Sequence, residues 1–181
     1  MELQIPEEVW LIGKGPSLDT YDWSKAGWFR ACINETAFLI PNCTMAFCLD
    51  YRIHDKFIAA LPENVLVVVK KAHLHYHRYP YMLTYETQGV DIVQAYATAT
   101  VAIEILAQLG AKTIHFVGFD SIDNIGGYAQ SVIGIRGEGT NKHEYQDINK
   151  RIYQVLKTID INCIWEHRNE TNSIINNSVS A

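Results

Sequence analysis

A chain of 181 residues is long enough to bury one full core and short for a multidomain protein. Its composition, 48% hydrophobic and 19% charged, is that of a globular protein rather than a disordered one, and a formal net charge of −5 argues against a general DNA- or RNA-binding surface. No apolar run reaches the length of a membrane span, and the first eight residues lack a signal peptide's charge pattern, so a cytoplasmic location is expected. The four cysteines, Cys32, Cys43, Cys48 and Cys163, lie in or beside apolar runs without a Cys-x-x-Cys spacing. Buried free thiols are expected, and disulfides or zinc are not.

The hydrophobic run Val9–Ile12 stops at Gly13-Lys14-Gly15-Pro16-Ser17, which predicts a buried strand, a tight turn and the start of a helix. Leu18–Gly27 reads as a short helix or turn, and Trp28–Ile33 as a second strand closed by Asn34-Glu35. Thr36–Ile40 reads as a short helix, Thr44–Leu49 as a third strand ending at Asp50, and Arg52–Leu61 as a helix. Asn64–Val69 is a fourth, fully buried strand. Ala72–Gln88, rich in tyrosine and histidine, reads as an irregular excursion, followed by a short strand over Asp91–Gln94. Thr98–Gly110 is a helix with Val101, Ile105, Leu106 and Leu109 at helical spacing and Gly110 as its stop. Lys112–Val117 is a strand ending in Gly118-Phe119-Asp120, and residues 121–142 form a long Gly-, Ser- and Asn-rich loop. A helix over Lys142–Ile159 and a strand over Asn162–Trp165 complete the fold, and the polar tail 169–181 is expected to fray.

This alternation predicts an α/β fold. It would be a single Rossmann-like domain over residues 1–168, with a mostly parallel sheet flanked by helices and a lid-like loop. Strands ending at Gly13, Asn34 and Asp50 would place those residues on the carboxyl edge, where open α/β sheets bind ligands.

Strand, glycine turn and helix start resemble the phosphate-binding corner of nucleotide-binding folds, although the third glycine of the dinucleotide fingerprint is replaced by Leu18. Asn34 and Asp50 are placed to hydrogen-bond a ribose, a base or a phosphate, and Asn and Asp equally cap the helices that follow them. Thr98-Ala99-Thr100 offers a second anion-binding corner at a helix start. Asp120 is placed to hold a sugar hydroxyl or to organise the loop behind it. His143, after the glycine-rich loop, is a candidate general base, and Tyr128 a candidate donor to a leaving phosphate. His73, His75 and His77 would share one strand face, but no nearby carboxylate or thiol completes a metal site, so no metal is expected.

Three blocks resemble the bacterial sialyltransferases of glycosyltransferase family 42, and phage-encoded glycosyltransferase-like proteins that begin with Ile-Gly-Lys-Gly-Pro-Ser-Leu. Gly13–Leu18 is similar to the family's Gly-Asn-Gly-Pro-Ser-Leu, and Arg30–Asn34 to its Arg-Cys-Asn segment, whose asparagine contacts the donor. Thr98–Asp120 is similar to a Thr-Ser-Gly helix followed by a strand ending Gly-Ile-Asp, and Gly126–Ala129 to Ser-Ser-Tyr-Ala. His143, ahead of Asp147-Ile148-Asn149, resembles the catalytic histidine that precedes an Asp-Ile-Lys helix, offset by one residue. The departures are Lys14 and Asp50 in place of asparagines, Thr-Ala-Thr in place of Thr-Ser-Gly, Ile122 in place of a second tyrosine, and shorter middle and lid segments.

The resemblance implies a metal-independent transferase that moves a sugar from a nucleotide-sugar donor to a glycan, a modified nucleobase or a small molecule. His143 would act as base, and Tyr128, Lys14, Ser17 and the N–H groups around Gly15 would surround the departing phosphate. It also implies a possible homo-oligomer, and leaves the donor's sugar open. Two alternatives remain: a magnesium- and ATP-dependent enzyme like the hydroxymethylpterin pyrophosphokinases, and a nucleotide-binding module without catalysis.

Overall fold

A computed structural model describes residues 3–49, 60–70, 82–85, 97–123, 125–136 and 142–168, with backbone alone at 70, 82–85, 136 and 142–147. Among the described residues the apolar runs form seven strands: β1 (Glu8–Ile12), β2 (Arg30–Ile33), β3 (Met45–Phe47), β4 (Leu66–Lys70), β5 (Met82–Tyr85), β6 (Thr113–Val117) and β7 (Asn162–Trp165). The helices among them are α1 (Thr36–Leu39), α2 (Thr98–Gln108), α3 (Gln130–Arg136) and α4 (Lys142–Thr158), with 3-10 turns at Pro16–Asp19 and Asp120–Asp123.

Every strand pair is parallel, in the order β5-β4-β3-β2-β1-β6-β7. The chain is thus an α/β protein with a Rossmann-like sheet. It winds outward from β1 to β5 and then returns to lay β6 against the opposite side of β1. That reversal puts a topological switch point between β1 and β6, and the crevice at such a point is where sheets of this kind hold ligands.

Parallel sheets are covered on both faces, and the sequence shows it in continuous apolar runs such as Val9–Ile12, Met45–Phe47 and Leu66–Val69. On one face Leu11, Ile33, Phe47, Ile114 and Phe116 pack against Ile103 and Leu106 of α2 and Ile152 of α4. On the other, Ile12, Cys32, Ala46, Val67 and Val117 pack against Leu18, Ala37 of α1 and Val132 of α3. Each such large apolar side chain contributes about 1.5–3 kcal/mol on burial.

Local chemistry sets the ends. α2 stops at Gly110, whose φ of 104° suits glycine. The Gly110 N–H donates to the Ala107 carbonyl at 3.0 Å and the Ala111 N–H to that of Leu106 at 3.0 Å. This closed C-terminal motif satisfies carbonyls that the helix end would otherwise orphan.

Two expectations change. The excursion expected over Ala72–Gln88 contains β5, which pairs through its backbone with the open edge of β4; pairing across the sheet overrides a polar, aromatic sequence context there. The loop expected over 121–142 contains regular structure among its described residues: the 3-10 turn overlaps its start and α3 occupies Gln130–Arg136. Val132 is buried, the Ala129 N–H donates to the Lys14 carbonyl at 2.8 Å, and Ser131 bonds Asp19, so this segment is docked on the glycine turn rather than hung over it. Of the short helix or turn expected over Leu18–Gly27, the structure has turns, with a 3-10 turn over Pro16–Asp19 at its start. The strand expected over Asp91–Gln94, the tail from Asn169 and the histidines 73, 75 and 77 lie outside the described residues, as does the helix over Arg52–Leu61 except its last two positions.

Candidate functional site

The glycine turn is fastened directly to the end of β6. The Gly13 N–H donates to the Val117 carbonyl at 2.7 Å and the Gly15 N–H to the Gly118 carbonyl at 2.7 Å. A Cβ on Gly13 would lie 2.5 Å from the Gly118 carbonyl oxygen, so the two turns meet backbone to backbone. Gly118 itself has a φ of 72°. Here the glycines serve the approach of two chain segments at the switch point, the first requirement of the corner.

Asp120 completes that junction. Its carboxylate accepts from the Ser17 N–H at 3.1 and 3.2 Å and from the Ser17 hydroxyl at 2.8 Å. The Ser17 hydroxyl in turn accepts from the Gly118 N–H at 3.2 Å. Ser17 therefore does not cap its own turn; Asp120, 4% exposed, caps it from across the crevice.

Lys14 reaches to Glu35 and Tyr128. Its Nζ lies 3.1 Å from Glu35 Oε2 and 5.0 Å from the centroid of the Tyr128 ring. Glu35 is 2% exposed, so this is a buried ion pair with an aromatic face beside it. Thr36, fully buried, ties the strand ends together: its hydroxyl lies 3.2 Å from the Ile12 carbonyl and 3.0 Å from that of Ile33, and accepts from the Ile33 N–H at 2.9 Å.

Asn34 and Thr98, 64 residues apart, meet at the carboxyl end of β2. Asn34 has a φ of 53°, uncommon for a residue with a Cβ, and its Nδ2 reaches Thr98 Oγ1 at 3.5 Å. Its Oδ1 is buried without a hydrogen-bond partner. α2 begins there after Ala97 with no side-chain cap, so its N-terminal dipole is directed at the same corner. The Thr100 hydroxyl is taken by the Ala97 carbonyl at 2.8 Å, and Thr100 supports the helix start from inside.

The structure thus gathers Gly13, Gly15, Ser17 and Asp120 at the switch point, Lys14 with Glu35 and Tyr128 beside it, and Asn34 with Thr98 at the end of β2. Asp50 lies outside the described residues. His143 is in the first turn of α4, six residues (about 9 Å of helix) before Asn149, which bonds both the hydroxyl and the carbonyl of Ser121 behind β6. Ile122, which the sialyltransferase resemblance sets against a second tyrosine, is a core residue.

Sequence reading passed over Glu35, Asp123, His115 and His167. His115 stacks on Trp10 at 4.1 Å between Glu8 and Glu166, at 2.7 and 2.5 Å. Asp123 is bound by His167 Nε2 at 2.7 Å and by two nitrogens of Arg168 at 2.8 and 2.5 Å. The Arg168 bonds, with His167 beside them, hold the Asp123 carboxyl below its ordinary range. Burial raises the Cys32 thiol well above its ordinary value, that of Cys48 to about 12 and that of Cys163 to about 11, so these thiols are inert packing groups.

Among the described residues no cluster of three or more His, Cys, Asp or Glu could hold a metal ion, and no helix is long and apolar enough to cross a membrane. Comparison with protein-family models, curated proteins and solved structures finds no match to this chain.

Proposed function

We propose that the chain is a glycosyltransferase whose nucleotide-sugar donor lies along the carboxyl ends of β2, β1 and β6. The observation that carries this reading is the Asn34 corner. A buried carboxamide oxygen without a partner, on a backbone in the left-handed region, belongs to the side chain whose Nδ2 reaches Thr98 at the uncapped start of α2. Unsatisfied buried polar atoms and strained backbone concentrate at binding sites, because the fold alone gives no return for either.

In the transfer, the acceptor oxygen bonds to the anomeric carbon as the bond from that carbon to the phosphate oxygen breaks, its electron pair leaving with the nucleotide. The acceptor proton passes to a histidine of the carboxyl edge, and His143 is the candidate that the family resemblance supplies. Tyr128 and Lys14 stand together for the leaving phosphate, and the N–H groups at the start of α2 face developing negative charge. The acceptor is a glycan, a modified nucleobase or a small molecule.

One observation favours a second reading. Glu35 offsets the charge of Lys14, and Asp120 adds a buried carboxylate bonded among the described residues to the neutral groups of Ser17, so a polyphosphate would bring its own cation. A magnesium- and ATP-dependent phosphoryl-transfer enzyme fits that balance.

A thermal-shift panel of CMP-, UDP- and GDP-sugars, free nucleotides and ATP, each with and without EDTA, separates the two. Stabilisation by one nucleotide sugar that persists in EDTA, with release of its nucleotide on incubation, is the expected result. Stabilisation by ATP alone, lost in EDTA, replaces the transferase with the kinase reading.

A further inference from the structure

We propose that His167, held by Asp123, is the proton acceptor of the site; this rests on the transferase reading above and moves its base from α4 to the end of β7. His167 follows β7 on the carboxyl edge, and Asp123 ends the 3-10 turn that follows β6, so the pair spans the ends of two adjacent strands. Nε2 of the ring lies 2.7 Å from Asp123 Oδ2. A carboxylate accepts, so Nε2 carries the proton and Nδ1 keeps its lone pair. The side chain is 4% exposed, and Nδ1 is buried without a hydrogen-bond partner.

Carboxylate, imidazole and an unused ring nitrogen in line make up the base half of the serine-hydrolase triad, here with the two nitrogens exchanged. Asp123 is well suited to the positioning role. Its bonds to Arg168 hold it charged and fixed, and the Arg168 guanidinium is itself held over the Trp165 ring at 5.5 Å. Among the described residues, the charged and titratable groups placed at the imidazole include Asp123, Arg168 and, through Arg168, Tyr153. A clamp between β7 and the 3-10 turn needs only Arg168 and Asp123. It gives no reason for a buried histidine whose second nitrogen meets no donor.

The placement suits an acceptor. Phe119 packs on Gly13, Trp165 lies 6.4 Å from Phe119, and His167 lies 6.4 Å from Trp165. Two aromatic rings therefore separate the imidazole from the glycine turn, so His167 stands on the β7 side of the edge while the donor corner at Asn34 lies on the β2 side. A hydroxyl brought to Nδ1 would give up its proton there as its oxygen bonds to the anomeric carbon and the bond from that carbon to the phosphate oxygen breaks, its electron pair leaving with the nucleotide; the imidazolium would then carry both protons, its Nε2–H still on Asp123.

The test is nucleotide release and transfer, measured by chromatography with the nucleotide sugar that stabilises the wild-type chain. The variants are His167→Gln, which keeps a donor for Asp123, His167→Ala and His143→Ala. Expected is a loss of kcat in His167→Gln on the order of a hundred- to ten-thousandfold, with KM for the donor and its thermal shift retained. The pH profile of kcat should also lose its acidic limb. Nitrogen-detected NMR of the ring should show the Nε2–H form in the unliganded wild type. Wild-type kcat in His167→Gln, or full loss in His143→Ala with none in His167→Gln, overturns the assignment and leaves the transferase standing. A wild-type chain that releases nucleotide from none of these sugars overturns both.

Discussion

Gly15 and Asp120 occupy the same space: a Cβ on Gly15 would lie 2.2 Å from Asp120 Oδ2 and 2.9 Å from the Gly118 carbonyl oxygen. Gly15→Ala must therefore push the carboxylate off Ser17 and part the ends of β1 and β6. Overpacking of this kind costs about 1–3 kcal/mol. Gly134, exposed on α3 with open space around its would-be Cβ, is the control, and Gly134→Ala should stabilise by about 0.5–1 kcal/mol. Urea unfolding of the two variants should move in opposite directions; equal midpoints would mean that the glycine turn is not built around Asp120.

The Lys14–Glu35 pair has its own energetic signature. Removing one member of a buried ion pair costs about 3–5 kcal/mol, because the attraction that offsets the other's desolvation is lost, whereas replacing both with apolar groups of similar volume is often close to neutral. Lys14, 15% exposed, sets the lower end of that range. A double-mutant cycle of Lys14→Met and Glu35→Met should show each single variant destabilised and the pair partly restored. Additive losses would show that the two side chains act separately.

Acid should weaken the chain partly through Asp123. In the unfolded chain its carboxyl titrates near the ordinary value of about 3.9; in the folded protein its bonds to Arg168 and His167 hold it lower. The unfolded state then binds more protons in that window, so the stability this carboxylate lends is present above about pH 4 and is lost as pH falls through the folded value. Urea midpoints between pH 2 and 6 should fall less steeply for Asp123→Asn than for the wild type. Parallel curves would remove Asp123 from the acid limb.

What could be read in the sequence were features with a local cause. The run Val65–Val69 is apolar at every position because a central parallel strand is buried on both faces, and Gly110 ends α2 because the cap needs a left-handed residue. β5 was hidden because Met82–Tyr85 has no hydrophobic period of its own and gains its strand form from the edge of β4. α3 was hidden because Gly134 and the glycines before it read as loop, while its support comes from Lys14 and Asp19 more than a hundred residues earlier. The candidate site divides in the same way. The glycine turn announces itself, but the bond from Ser17 to Asp120 spans 103 residues, and Glu35 reads as the leader of α1 until Lys14 is seen beside it. His167 carries no sequence signal, since a single histidine next to an arginine forms a pair only when β6 and β7 bring Asp123 to it.

Asn34 offers the sharpest separation of fold from site. Glycine adopts a φ of 53° without strain, and Asn34→Gly deletes an oxygen that is buried without a partner, an arrangement that costs about 1–3 kcal/mol. Against that stand the contact to Thr98 at 3.5 Å, at the outer limit of a hydrogen bond, and about 0.5–1 kcal/mol for the greater freedom of an unfolded glycine. These terms nearly cancel, so the urea midpoint of Asn34→Gly should stay at or above that of the wild type. The thermal shift produced by the stabilising nucleotide sugar should shrink in the same variant, since the donor loses its partner at β2. If Asn34 were retained for the fold, the balance would run the other way: a stability loss of more than about 2 kcal/mol with ligand binding intact would make it a structural residue and take the donor corner away from β2.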